Sequence, residues 1–421
     1  MKILIITSRF FPHGDAQCGV VYNLAEALKE KGCEVRILAL TAYREDREMT
    51  DWNGIAVTQA YYPGSMVREE VRAAMKKAPL EGIAALAEIA LGMGLRATVP
   101  GWKKKFINPV TAHAYEKAIR KILKKEDYDL CLPTLMPIDA LHAAYRACRG
   151  KIRMGIYQLD TYWNNPMLPE KYREDRFAYE KELIGKSAFS LVLPTIAKSN
   201  LEKDPGLKEK MIRADMPVVK RPKQETGEKE PDGKIHCAYL GMLYPGLRPP
   251  EKAVQVIAGQ KTPGVLFDFY GTRQDLIEKA PAYEKAKEQI RMHGPVSSEE
   301  AEKARARADV MVNIDNTSIT QVPSKLFEYI STGKPIINFY FAEESSVLEY
   351  LSRYPKALNI NLNGDLDRAA EEMTLFLTTV DGSRIPFEAI EKAYEENTPA
   401  YVAGQCMKAW QAATGKKELT K

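Results

Sequence analysis

The chain has 421 residues, 45% hydrophobic and 28% charged, with a formal net charge of +5. This is material for about two or three domains of ordinary globular character, and the basic excess is too small for a nucleic-acid binder. The six cysteines form no CxxC pair and no Cys/His set at zinc spacing, which excludes a disulfide framework and a structural zinc site and points to a reducing, cytoplasmic setting.

The opening "KILIIT" is an apolar run of buried-strand type, without the h-region and cleavage site of a signal peptide. A glycine-bearing loop, "SRFFPHGDAQCG", leads into the amphipathic helix "VVYNLAEALKEKG", stopped at Gly32, and then into the strand "CEVRILAL". That is a βαβ unit, which builds parallel sheets and places ligands at the C-terminal ends of strands. Further strands are expected at 54–62, 128–134, 152–159 and 189–195, with helices at 110–125, 139–148 and 170–186.

The segment 66–108 departs from this rhythm. It contains "GIAALAEIALGMGL" (82–95), flanked by Lys76 and Lys77 on one side and Lys103, Lys104 and Lys105 on the other. A core helix with solvated lysines and a helix lying on an anionic membrane surface both fit this pattern. No run reaches the roughly 18 apolar residues of a membrane-spanning helix.

Residues 220–234, "KRPKQETGEKEPDGK", read as a linker or exposed loop. The cycle then restarts with strands at "IHCAYLG", "VLFDFYG", "ADVMVNI" and "PIINFY", separated by helical stretches. The expected fold is α/β with two doubly wound domains, 1–215 and 216–384, and a final helical stretch, 385–414, packing back on the first.

The stretch "VPSKLFEYISTGKPIINF" (322–339) carries the most chemistry. Pro323 suits the first helical position, so Ser324 and Lys325 fall in the first turn, where unpaired N–H groups and the helix dipole attract anions. Glu328 lies four residues after Ser324 on the same face, where a carboxylate would meet the vicinal hydroxyls of a ribose. The pattern fits a nucleoside diphosphate, and equally a solvated glutamate on an ordinary helix.

At "FEYISTGKPIINF" the chain resembles the nucleotide-binding domain of retaining GT-B glycosyltransferases. "YLGMLYPGLRPPEKAVQVI", "FDFYGTRQDL", "IRMHGPVSSEEAEKARARADVMVNI" and the opening βαβ resemble successive pieces of that family in order. The resemblance implies a GT-B fold, two Rossmann-like domains facing across a cleft. It also implies transfer of a sugar from a nucleotide-diphosphate sugar, most readily a UDP-sugar, to a glycan or lipid-linked acceptor, without a metal or other cofactor. Glu328 would hold the ribose, with Ser324, Lys325 and Gly241 on the donor. Thr320 stands where relatives carry a first glutamate, and Met242 follows Gly241 where they carry arginine, leaving Arg248 as the nearest cation for the diphosphate. In the first domain, Asp160 in "YQLDTYWNNP" would meet the acceptor hydroxyl, Trp163 would stack on a sugar, and His13, Gly14 and Gly19 would line the glycine loop. His113 and His142 have no such place. A sugar-nucleotide 2-epimerase and a non-catalytic GT-B partner subunit are the competing readings.

Overall fold

Apolar runs too short for helices and rich in Ile, Leu and Val fold into two parallel sheets, each belonging to one of two compact units: 1–217 with 399–421, and 218–398. The computed structural model describes residues 1–15, 17–66, 68–165, 168–223, 232–319 and 321–415, with backbone only at 68, 69, 73 and 102. Thr320 and most of the expected linker (224–231) lie outside the described residues.

The first unit holds β1 (Lys2–Ile6), β2 (Glu34–Thr41), β3 (Asp51–Trp52), β4 (Ile55–Tyr61), β5 (Leu130–Pro133), β6 (Arg153–Gln158), β7 (Phe189–Val192) and β8 (Met211–Arg213). Their order in the sheet is β3-β4-β2-β1-β5-β6-β7-β8, parallel throughout except the β3–β4 pair. Among the described residues, seven α-helices precede the domain boundary: α1 (Cys18–Glu30), α2 (Arg68–Lys77), α3 (Pro79–Leu95), α4 (Pro109–Leu123), α5 (Ile138–Cys148), α6 (Arg173–Lys186) and α7 (Pro194–Lys203). Val21, Leu24 and Leu28 of α1 are buried, each contributing about 1.5–3 kcal/mol by leaving water. Gly32 adopts φ 79°, the left-handed conformation that ends α1.

The second unit holds β9 (Ile235–Leu240), β10 (Val265–Tyr270), β11 (Ile290–Gly294), β12 (Val310–Ile314), β13 (Ile336–Tyr340) and β14 (Ala357–Asn361). The order is β11-β10-β9-β12-β13-β14, and every pair is parallel. Its helices are α8 (Glu251–Gly259), α9 (Asp275–Glu278), α10 (Tyr283–Ala286), α11 (Ser298–Arg307), α12 (Ser324–Ser331), α13 (Ser346–Leu351), α14 (Leu366–Thr379) and α15 (Phe387–Ala393). Of the stretch 385–414, α15 stays with this unit, and only α16 (Pro399–Thr414) joins the first, against α1. The sheet order turns between β9 and β12, and in the first unit between β1 and β5. Such switch points open a crevice at the strands' C-terminal ends.

Lys334 of the "GKP" turn is buried and structural. Its Nζ donates to the Ala306 carbonyl at 2.9 Å and also to those of Arg305 and Ala308, satisfying the carbonyls that α11 leaves open.

Candidate functional site

The crevice of the second unit is built on strand ends and one helix start. Pro323 is the residue before α12, extended at φ −64° and ψ 125°, and offers no side-chain cap. It therefore lies one position earlier than the first helical residue expected of it. Ser324 and Lys325 are the first two helical residues, and the N–H groups there have no partner within a helix.

After β9 the chain makes a tight turn through Gly246 (φ 76°), closed by the Arg248 N–H to the Tyr244 carbonyl at 2.9 Å. The turn delivers Arg248 to the end of β12. There its Nη2 donates to Asn316 Oδ1 at 2.8 Å, while Asn316 Nδ2 donates to the Gln321 carbonyl at 2.9 Å. Asn316 thus ties the arginine loop to the approach to α12. The Nε of Arg248 is buried and has no partner among the described residues, a donor whose unmet bond would cost free energy unless a ligand accepts it.

Glu328 projects from α12 and accepts from Arg305 Nη1 at 2.8 Å. Burial holds Lys325 below the usual lysine range; nearby Glu328 opposes the shift, and the positive charges of Arg305 and Arg248 add to it. Three cations therefore converge on the start of α12, against one carboxylate on its face. A second carboxylate, Asp315, lies beneath, buried and pushed up to about 6 by desolvation, with Ser345 and the Asn316 N–H bonded to its oxygens.

The floor is bare backbone. The N–H of Gly241 donates to the Tyr270 carbonyl at 2.9 Å, and that of Gly271 to the Gly294 carbonyl at 2.7 Å. Gly271 has φ 131°, and a Cβ there would stand 1.9 Å from the Gly241 oxygen. Only glycine permits this approach of the turn after β10 to the turn after β9.

The structure thus brings together Glu328, Ser324, Lys325, Arg248 and Gly241. Reading the sequence missed Arg305, Asn316 and Gly271. Asn316 follows a strand beside the switch point and was findable by that rule; Arg305 is 23 residues from Glu328, and no local spacing announces the pair.

In the first unit, Asp160 follows β6 and accepts from Gln17 Nε2 at 2.8 Å. Burial raises its carboxyl, and the neighbouring Asp15 charge adds to the rise against the Gln17 bond. His13 Nδ1 lies 3.1 Å from Asp46 Oδ2, and its ring stacks on Tyr43. Gly14 packs on Cys18, whose Sγ would be 2.6 Å from an added Cβ. Arg9, also unremarked in the sequence, forks onto both oxygens of Glu70 at 2.6 and 2.7 Å. Two expectations need correction. Gly19 is the second residue of α1 and not part of the loop, because the helix begins at Cys18. Trp163 is only 5% exposed; its Nε1 donates to Asn200 at 2.5 Å and its N–H to Glu180 at 3.1 Å, so the indole is core and cannot face a sugar. His142 is half-buried, at 2.5 Å from the Tyr179 hydroxyl, and burial lowers it to about 4.

Neither a protein-family model nor a curated protein sequence matches this chain. Solved structures do. Sucrose-phosphate synthase from Thermosynechococcus elongatus superposes with a TM-score of 0.68 at 13% identity, over 99% of this chain and all of that one. WaaG, a glycosyltransferase involved in lipopolysaccharide biosynthesis, gives 0.54 at 13% identity, over 98% of this chain and 100% of that one. The UDP-GlcNAc 2-epimerase of Methanocaldococcus jannaschii gives 0.58 at 11%, over 98% and 100%. The chain therefore has the GT-B fold: mixed α/β, with two Rossmann-like parallel-sheet units. At these identities the likeness establishes the fold alone.

Proposed function

We propose that this protein is a retaining glycosyltransferase that takes a sugar from a nucleoside-diphosphate sugar of the UDP type. The observation that carries the reading is the convergence of Arg248, Lys325 and Arg305 on the start of α12, at a sheet switch point, with Glu328 one turn along. In this reading Ser324, Lys325 and Arg248 hold the diphosphate. Glu328, fixed by Arg305, accepts from the ribose hydroxyls. The bond from the anomeric carbon to the diphosphate breaks, and positive charge already in place stabilises the departing oxygens, so this reading routes no step through a metal. Asp160, whose carboxyl burial raises, receives the acceptor hydroxyl in the first unit. Thr320, outside the described residues, is assigned to the donor sugar by its place in the sequence alone. The acceptor is a glycan or lipid-linked chain of the kind used in surface polysaccharide synthesis, which brings the protein to the cytoplasmic face of a membrane.

The likeness to a 2-epimerase favours a second reading, in which the same nucleotide site serves inversion at the sugar's second carbon. Incubation with a panel of UDP-, GDP- and dTDP-sugars separates them. Slow UDP release abolished by Glu328→Ala supports the transferase, and an epimerised sugar nucleotide without release supports the epimerase. No thermal shift with any nucleotide sinks both and leaves a non-catalytic GT-B subunit.

A further inference from the structure

The helix α3 is built inside out. Its buried positions are small: Ala85 is fully buried, and a Cβ on Gly82 or Gly92 would meet Met75 Sδ at 2.7 Å or Asn108 Oδ1 at 2.4 Å, while Ile89 packs part-buried beside Ala85. Most of its bulky residues point to solvent, with Leu80, Ile83, Leu86, Leu91 and Met93 between 47% and 83% exposed. Of the eleven exposed large hydrophobics among the described residues, seven fall within 75–95. A soluble helix does the reverse, and a contiguous apolar face of this kind marks a surface that meets something apolar.

What it meets is indicated by charge. Lys76 and Lys77 at the end of α2, and Lys104 beyond α3, are exposed. Beside α3 runs a groove of ≈ 780 Å³ over the face of β4, walled by α4 and the segment 47–50, with Glu88 of α3 at its rim. Lys117 and Lys121, one turn apart on α4, and Lys125 just beyond its end line it, joined by Arg47. Its remaining arginine, Arg36, is paired with Glu126 at 3.0 Å, leaving cations in excess.

We propose that this face of the first unit docks on an anionic phospholipid bilayer, with the bulky side of α3 among the acyl chains and head-group phosphates in the α4 groove. No described helix is long and apolar enough to cross a membrane, so α3 lies in the interface. The inference names the surface for the membrane contact in the proposed function and does not rest on the donor chemistry.

Co-sedimentation of the full chain with phosphatidylcholine vesicles, with and without phosphatidylglycerol, tests it. Wild type sediments with the anionic vesicles and is released by salt. Both Leu80→Ser/Ile83→Ser/Leu91→Ser and Lys117→Glu/Lys121→Glu weaken that binding by about tenfold or more, while UDP titration and thermal unfolding stay unchanged because all five side chains contact solvent. Undiminished binding by either variant overturns the proposal. So does failure of wild type to sediment, whether dextran sulfate instead fills the groove or light scattering shows a dimer that the apolar variant dissolves. UDP binding reports the donor reading separately in every arm.

Discussion

Replacing Glu328 by glutamine tests the ribose assignment with little change of shape. The carboxylate is anchored by Arg305 at 2.8 Å, and its side chain is 36% exposed. Hydrogen bonds to a charged group contribute about 1.5–3 kcal/mol each; partial exposure screens the charge and places the loss near the lower end, about 2 kcal/mol. That corresponds to roughly 30-fold weaker UDP binding by isothermal titration. The substitution also releases Arg305 from its partner and adds net positive charge beside the phosphates. Pyrophosphate, which has no ribose, should therefore bind Glu328→Gln as well as wild type or better. Equal weakening of UDP and pyrophosphate, or a UDP affinity within about twofold of wild type, would refute the assignment.

Gly271→Ala should lower stability by about 2–3 kcal/mol or more in urea titration, since its φ of 131° and the 1.9 Å clash with the Gly241 oxygen both oppose a side chain. Trp163→Phe leaves Asn200 Oδ1 without its indole donor and should cost about 1–3 kcal/mol of stability while sparing transfer; lost activity at full stability would restore a sugar-stacking role. Asp139 accepts from the Asn108 N–H at 2.7 Å and is pushed by burial up to about 7 from an ordinary 3.8. The folded chain then holds a proton that the unfolded chain releases, so this contribution to stability is full below about pH 4 and lost as pH rises to about 7. Melting temperatures across that range should fall less steeply for Asp139→Asn, which keeps the acceptor.

The strand–helix alternation was legible because most strands are buried on both faces and read as apolar runs. The strands that escaped are short or polar. In β14 the residues Ala357–Asn361 carry Asn359, which joins a ladder of side-chain amides through Asn338 to Asn313 at 3.0 and 2.7 Å; such a strand has no hydrophobic signature. The start of α12 was legible because helix-end chemistry is local. Its ion pair with Arg305 and the Arg248–Asn316 tie depend on β9, β11 and β12 lying in one sheet, which no window of sequence displays. Trp163 was misplaced for the same reason, because its partners Asn200 and Glu180 lie on α7 and α6. In α3 the composition announced an apolar helix, but which side faces inward was decided by where glycines allow close approach.

The central claim is a diphosphate site at α12, and comparing UDP with UMP tests it most directly. Titration of each into wild type and Lys325→Met should show UDP binding about tenfold or more tighter than UMP in wild type, since charge-assisted bonds to the second phosphate are strong. In Lys325→Met that advantage should largely vanish. Equal affinity for the two nucleotides, or binding of neither, would contradict the account.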